Sequence, residues 1–389
     1  MFRLSLILSL SIGLVATSFS FAADTVMKDA AESTSNPDLS SENAVSQHPA
    51  PNDAHFDKQY YFADMHVLEA WAITKGTSEC LVGVVDHGFD LEHPDLHANL
   101  LPGYVAEGME HPVDYLNLLH GTAVAGLIAA QADNSIGIAG LAPKCKVVPA
   151  ALGTHRWIRE RTPESSRKWN ELIGKEDGKA IRYLVDRGCK VINLSVGLGT
   201  VPMSDLEYAL QADVVLVAAS GNSNREDEWY EWAGVLDVLL VGGLDRKGQR
   251  WLAKPVEFRG RTVQQGSSYG KGLNVMAPML DLVTCAPDIE EANVHLNKDT
   301  WTQMNFGMAM PGYLWEQGRG GTSWAAPMAT ALVALIRSLR PDLNHKQVIK
   351  IVEQGATDLG DEGWDKYTGW GQLNFHKSLE LAKSWSTRG

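Results

Sequence analysis

Gly320-Gly321-Thr322-Ser323-Trp324-Ala325-Ala326-Pro327 runs without a break into Met328-Ala329-Thr330-Ala331-Leu332-Val333-Ala334-Leu335-Ile336. The second half has almost no polar face, the pattern of a helix buried on every side. Arg337 and Arg340 stand near its end and Pro341 stops it. The paired glycines permit a tight turn ahead of it. Pro327 is expected in its first turn, where a missing N–H costs nothing. Ser323 then falls at the N-terminus of a buried helix, where unbonded amides and the helix dipole favour negative charge. A hydroxyl so placed is either an ordinary helix cap or a nucleophile beside an anion site.

Upstream, Cys80-Leu-Val-Gly-Val-Val-Asp86 is a continuous apolar run ending in a carboxylate, as a buried parallel strand reads. Similar runs recur at 146–152, 190–196, 214–219, 238–241 and 273–276. Helical stretches at 67–73, 120–131, 178–187 and 205–211 alternate with them, and 344–353 and 375–382 follow the central helix. The alternation predicts an α/β fold with a mostly parallel sheet. Pro149 lies inside the second run, so an irregularity is expected there. Residues 154–176 and 288–318 mix tryptophans with charges and read as structured surface insertions.

The chain has 389 residues, 44% hydrophobic and 21% charged, with a formal charge of −13. That acidity argues against nucleic acid or an anionic membrane as the main partner. Residues 1–22 read as a signal peptide: Arg3, an apolar stretch from Leu4 to Val15, and the small-x-small site Ser20-Phe21-Ala22. A secreted or periplasmic monomer without a membrane anchor is the expectation. Residues 23–55 lack an apolar period and read as a flexible linker or short pro-segment, with the folded domain at 56–389. The cysteines Cys80, Cys145, Cys189 and Cys285 are too irregularly spaced for a zinc site.

Asp86 closes a strand, His120 opens the helix His120-Gly121-Thr122-Ala123-Val124-Ala125-Gly126, and Ser323 opens the central one. Acyl transfer by serine needs a base for its proton and a carboxylate to orient and compensate the imidazole. The order Asp, His, Ser differs from the Ser, Asp, His order of α/β-hydrolases, and Gly321-Thr322-Ser323-Trp324-Ala325 lacks their second glycine. Val217-Ala218-Ala219-Ser220-Gly221-Asn222 ends a strand in an amide that can meet an oxyanion.

At these residues the chain resembles the subtilases. The matching stretches are Val84-Val85-Asp86-x-Gly88-x-Asp90, His93-Pro94-Asp95-Leu96, His120-Gly121-Thr122-x-Val124-Ala125-Gly126, Asn134 through Pro143, Val191 through Gly197, Ala219-x-Gly221-Asn222, Asn274 through Pro278 and Gly321-Thr322-Ser323-x-Ala325-Ala326-Pro327. The resemblance implies a three-layer α/β/α fold and a serine endopeptidase acting on polypeptides. It assigns Asp86 as orienting carboxylate, His120 as base and acid, Ser323 as nucleophile and Asn222 as oxyanion donor. Ser195, Val196, Gly197, Ala219, Ser220 and Gly221 would line the primary pocket and pair with substrate as an added strand. No cofactor is needed for the chemistry.

The same resemblance carries finer expectations. Asp95 and Asn134, with the carbonyls of Ala132, Ile136 and Ile138, match a loop where some members hold structural calcium; a metal-free turn is the alternative. His93 and His97 do not form a transition-metal site, because Pro94 breaks their alignment. Asn193-Leu194-Ser195 is a formal glycosylation sequon on a buried strand. Cys80's strand would lie between those of Cys145 and Cys189, so one disulfide from Cys80 is expected, favouring Cys145, with Cys285 free. His87, Ala123, Trp324 and Met328-Ala329 depart from the family's usual residues; His87 and Trp324 fall beside catalytic positions. Arg225-Glu226-Asp227-Glu228-Trp229-Tyr230-Glu231-Trp232 leads to the pocket's floor and rim. Its carboxylates either make a pocket for Lys or Arg, or form a solvated loop over Trp229 and Trp232.

Overall fold

Each central strand is apolar on both sides, so the sheet must be covered on both faces, and the chain supplies helices to do so. The computed structural model describes residues 49–106, 115–152, 163–199, 201–258, 260–287, 308–310, 314–316 and 321–386. The proposed signal peptide and residues 23–48 lie outside the described residues, as do 154–162, 288–307, 311–313 and 317–318 of the two insertions.

In chain order the elements are α1 (Tyr61–Asp64), α2 (Val67–Trp71), β1 (Leu81–Asp86), β2 (Tyr104–Val105), α3 (Tyr115–Ala129), β3 (Lys146–Ala151), α4 (Pro163–Asp186), β4 (Val191–Leu194), α5 (Met203–Gln211) and β5 (Val215–Ala219). There follow α6 (Tyr230–Ala233), β6 (Val238–Leu244), β7 (Val256–Phe258), β8 (Arg261–Val263), β9 (Leu273–Pro278), β10 (Val283–Cys285), β11 (Met308–Met310), β12 (Leu314–Glu316), α7 (Thr322–Leu339), α8 (His345–Gly355) and α9 (Phe375–Ser384). The main sheet runs β2-β3-β1-β4-β5-β6-β9 and is parallel throughout. Antiparallel β10-β12-β11 and β7-β8 are small separate sheets.

Side chains alternate across the main sheet with the period of two that a strand imposes. Val82 and Val84 of β1, Val191 of β4, and Val215, Val217 and Ala219 of β5 face one core with α3, α7, α8 and α9. Val85, Ile192, Leu194, Leu216 and Ala218 face the other, against Ala180, Ile181 and Leu184 of α4 and Leu206 and Ala209 of α5. The result is the expected three-layer α/β/α arrangement. Asp86 falls in step with Val82 and Val84, on the side of α3 and α7.

Pro149 leaves the β1–β3 register intact. The N–H groups of Lys146 and Leu152 donate to Cys80, just before β1, and to Asp86 at its end, so every second N–H faces that way and position 149 faces β2 instead. There the pairing breaks between the Leu100–Val147 bridge and Tyr104. Gly103 sits against the Pro149 carbonyl where a Cβ would collide with it. The expected irregularity is therefore in the short outer strand, because that is the side that loses a donor.

Several expectations are corrected. α3 begins at Tyr115, so His120 sits in its second turn rather than opening it. Gly321 is extended, with φ −160° and ψ 142°, and forms no left-handed turn. Pro327 is the sixth residue of α7, past the first turn. The folded body begins before Phe56: Asn52 and Asp53 accept the N–H groups of Ser135 and Asp133, and His55 N donates to Gly137. All four cysteines are buried free thiols, so the disulfide expected from Cys80 is absent. Cys80 Sγ donates to Ala334 O of α7 at 3.4 Å, and Cys145 Sγ lies 3.7 Å from Ser338 Oγ, one turn further along the same helix. The two thiols also hydrogen-bond to each other, side by side against α7.

Candidate active site

The ends of three neighbouring strands, β1, β4 and β5, bring the predicted residues together at the carboxyl edge of the sheet, where ligands of open α/β sheets bind. Asp86 ends β1 and is completely buried. His120 of α3 donates from Nδ1 to its carboxylate, with Oδ1 at 2.9 Å and Oδ2 at 2.8 Å, and the His87 N–H donates to Oδ1 at 2.7 Å. Burial pushes the Asp86 carboxyl up, but the charge and hydrogen bond of His120, with His87, outweigh it and hold the group below its ordinary value. Burial pushes His120 down, and Asp86 more than compensates, so the imidazole titrates above its ordinary 6.5. With Nδ1 bound to Asp86, Nε2 is the ring nitrogen available to the crevice. Trp324 flanks the ring at 5.0 Å between centroids and His87 at 6.1 Å.

Ser323 is the second residue of α7, so its N–H has no intrahelical partner. Its Oγ donates to Ser195 O at 2.9 Å. A reciprocal bond runs from Ser195 Oγ to Ser323 O at 2.8 Å. The reason lies four residues on: Pro327 has no N–H to give that carbonyl, and Ser195 supplies the missing donor. Ser195 Oγ also accepts from Asn193 Nδ2 at 2.8 Å, and Asn193 Oδ1 accepts from Thr330 Oγ1 of α7 at 3.0 Å. The sequon asparagine is thus fully buried and spent on holding β4 to α7.

Asn222 is oriented by Thr322. Its Oδ1 accepts the Thr322 N–H at 2.8 Å and the hydroxyl at 3.1 Å, while the same hydroxyl accepts from Gly221 N at 3.1 Å. With Oδ1 tied down, Nδ2 is the end left to donate. Thr322, Asn193 and Thr330 were missed at the sequence level. Thr322 had a signal, lying between two motif residues, whereas Asn193 and Thr330 are 137 residues apart and share none.

The six positions assigned to substrate divide. Ser220 N donates to Val241 O, Gly221 N to Thr322, and Gly221 O accepts from Ser268 N. Their main-chain groups are already committed, which leaves the Ser195-Val196-Gly197 side better placed for an added strand. Gly197 and Gly221 have φ of +93° and +99°, which glycine alone adopts freely. In the acidic segment, Glu226 pairs with Lys366 Nζ at 2.9 Å and Asp227 Oδ1 accepts Lys271 N at 2.7 Å. Glu228 accepts from Ser223 Oγ at 2.9 Å and from Ser268 Oγ, beside Gly221. These described carboxylates are satisfied locally, and Trp229 and Trp232 stack edge to face at 6.1 Å.

The candidate calcium loop is built as well. Asp95 Oδ1 accepts from Asn134 Nδ2 at 2.7 Å and Oδ2 from Ile138 N at 2.8 Å. Gly137 lies so close to that carboxylate that a Cβ would overlap it. Desolvation raises Asp95 to about 6, and it also raises Asp53. Asp53 Oδ1 is buried with no hydrogen-bond partner among the described residues. Two buried carboxylates bonded to the same loop, one with an unmet oxygen, are donors of the kind a hard divalent cation takes. Among the described residues, no three His, Cys, Asp or Glu side chains gather where they could hold a metal ion together.

The family model described as the subtilase family matches residues 77–371. The chain belongs to the subtilase family of serine endopeptidases. It is 28% identical to the thermophilic serine proteinase of Bacillus sp. strain AK1 over 85% of this chain and 69% of that protein. It is 30% identical to fervidolysin of Fervidobacterium pennivorans over 80% of this chain but 42% of that longer protein. Among solved structures, a protease of Pseudoalteromonas arctica superposes with a TM-score of 0.62 at 22% identity, covering 86% of this chain and all of the other. Fervidolysin superposes with a TM-score of 0.60 at 24% identity, covering 86% and 47%.

Proposed function

We propose that this chain is an exported endopeptidase that hydrolyses polypeptides through an acyl-enzyme on Ser323. The observation that carries it is the Asp86–His120 pair, bonded at 2.8 Å and set on the face where α7 presents Ser323. Ser323 Oγ turns from Ser195 O and attacks the peptide carbonyl as His120 Nε2 takes its proton. Asp86 keeps the proton on Nδ1 and stabilises the imidazolium. The carbonyl oxygen, now an anion, receives hydrogen bonds from Asn222 Nδ2 and Ser323 N–H, a type of contact worth about 3–4 kcal/mol of barrier. His120 returns the proton to the leaving amine, and water with His120 as base then releases the acyl group. The substrate strand pairs along Ser195–Gly197, with Ala219–Gly221 forming the opposite wall.

The leader at 1–22 supports export to the periplasm or medium. No described helix is long and apolar enough to cross a membrane. Asp95, Asn134, Asp53 and the carbonyls of Ala132, Ile136 and Ile138 would hold a structural Ca²⁺, which neutralises two buried carboxylates and takes no part in the chemistry.

Fluorophosphonate labelling followed by peptide mapping should place the adduct on Ser323, and the labelled protein should lose peptide hydrolysis. A folded protein that resists labelling would be a silent scaffold. One that labels but cleaves esters and no peptide would be an esterase.

A further inference from the structure

Two backbone segments leave the carboxyl ends of the adjacent strands β4 and β5: Ser195–Gly199 and Ala219–Asn222. Ser323 Oγ is bonded to the first, and Asn222 closes the second. A carbonyl held between Ser323 Oγ and the Asn222 amide therefore sits at the mouth of the crevice between them. The side chain attached next to that carbonyl has this crevice as its nearest space.

In this chain one half-buried side chain spans the crevice. A Cβ built on Gly197 would meet Trp229 Cζ2 at 3.5 Å, and one on Gly199 would meet Cζ3 at 2.9 Å. One built on Gly221 would meet Trp229 Nε1 at 3.1 Å. A single indole thus reaches both walls, its benzene edge against Gly197 and Gly199 and its nitrogen against Gly221. Trp232 stands edge-on to it. The Nε1 atom is buried without an acceptor among the described residues. A tryptophan buried only for packing normally satisfies that N–H.

We infer that Trp229 determines the primary specificity of this enzyme, closing the subsite to all but small side chains (glycine, alanine or serine) before the cut bond. This rests on the serine-endopeptidase reading above. Large side chains are excluded because an occupied apolar space does not accept further volume without displacing its occupant. The Glu228 carboxylate also stands beside Gly221, where it accepts from two hydroxyls and keeps its charge, so the Arg peptide in the test below separates attraction by charge from exclusion by size.

The test uses the full chain and peptides that differ in that one residue: Ala, Ser, Leu, Phe or Arg. The expected kcat/KM for Ala and Ser exceeds that for Leu, Phe and Arg by at least about ten-fold. Trp229→Ala should raise the Phe-to-Ala ratio by about ten-fold or more, with Trp229→Phe in between. A parent enzyme that prefers Leu, Phe or Arg overturns the inference even if no variant folds. So does a folded Trp229→Ala whose ratio is unchanged. Fluorophosphonate labelling of Ser323 and digestion of an unfolded protein run in parallel. If both fail, the endopeptidase reading has failed; if both succeed and the ratio does not move, only Trp229's role is refuted.

Discussion

Asp86 and His120 hold each other in opposite directions, and the consequences can be measured at two pH ranges. The base must be neutral to accept a proton, and Asp86 raises its pKa above 6.5. kcat/KM should therefore fall as pH drops through an apparent value above 6.5; a limb below that value would show that Asp86 does not control the base. Stability runs the other way. The depressed Asp86 contributes stability that is present above about 3.8 and lost as pH falls through its folded value. The raised His120 contributes stability that is full below 6.5 and lost as pH rises through its folded value. The pair thus stabilises most between roughly pH 4 and 6.5, below the range of best activity. His120→Ala should flatten that part of the Tm profile. At the nucleophile, Ser323→Ala should lower kcat by about 10⁶-fold, the loss known for subtilisin. Asn222→Ala should lower it by about 10²–10³-fold, also subtilisin's figure, with little change in KM. A folded Ser323→Ala protein that cleaves at the parent rate would refute the mechanism.

Between α7 and β4 the decisive contact follows from a missing atom. Pro327 cannot donate to Ser323 O, and Ser195 Oγ takes its place. Ser195→Ala should cost about 1–3 kcal/mol in urea unfolding, because it orphans a buried carbonyl and the Asn193 amide. Adding Pro327→Ala restores the helical N–H and should recover part of that loss. Strict additivity of the two changes would mean the serine and the proline are not coupled through that carbonyl. Legibility at this scale was uneven. The buried helix and the five inner strands were read correctly because apolar runs and their period are local properties. Pro327's place, the start of α3 and the side of Pro149's defect were not, since each depends on where the neighbouring element lies.

Across the molecule, the loop at 132–138 joins the chain's early segment to its core through Asp53 and Asp95. Calcium bound there would stabilise the folded state by mass action, about 2.7 kcal/mol at a hundred times Kd. Adding Ca²⁺ to chelated protein should raise Tm, and Asp95→Asn or Asp53→Asn should abolish most of the rise. An unchanged Tm across millimolar Ca²⁺ would remove the site. Asp53 escaped sequence reading because it lies in a polar segment without periodicity, 80 residues from its partner Asp133.

By itself the sequence determined the layered fold, the order of strands and helices, and the Asp, His, Ser and Asn that meet at one sheet edge. Those are properties of short segments: an apolar run must be buried, and each motif falls at the end of one. Tertiary structure alone decided what fills the space between them. Trp229 reached the crevice, Thr322 oriented Asn222, Asp53 bonded to the loop that Asp95 also holds, and the Cys80 and Cys145 thiols met beside α7. Each of these is a contact between residues far apart in the chain, and local pattern carries no record of which distant side chain will arrive.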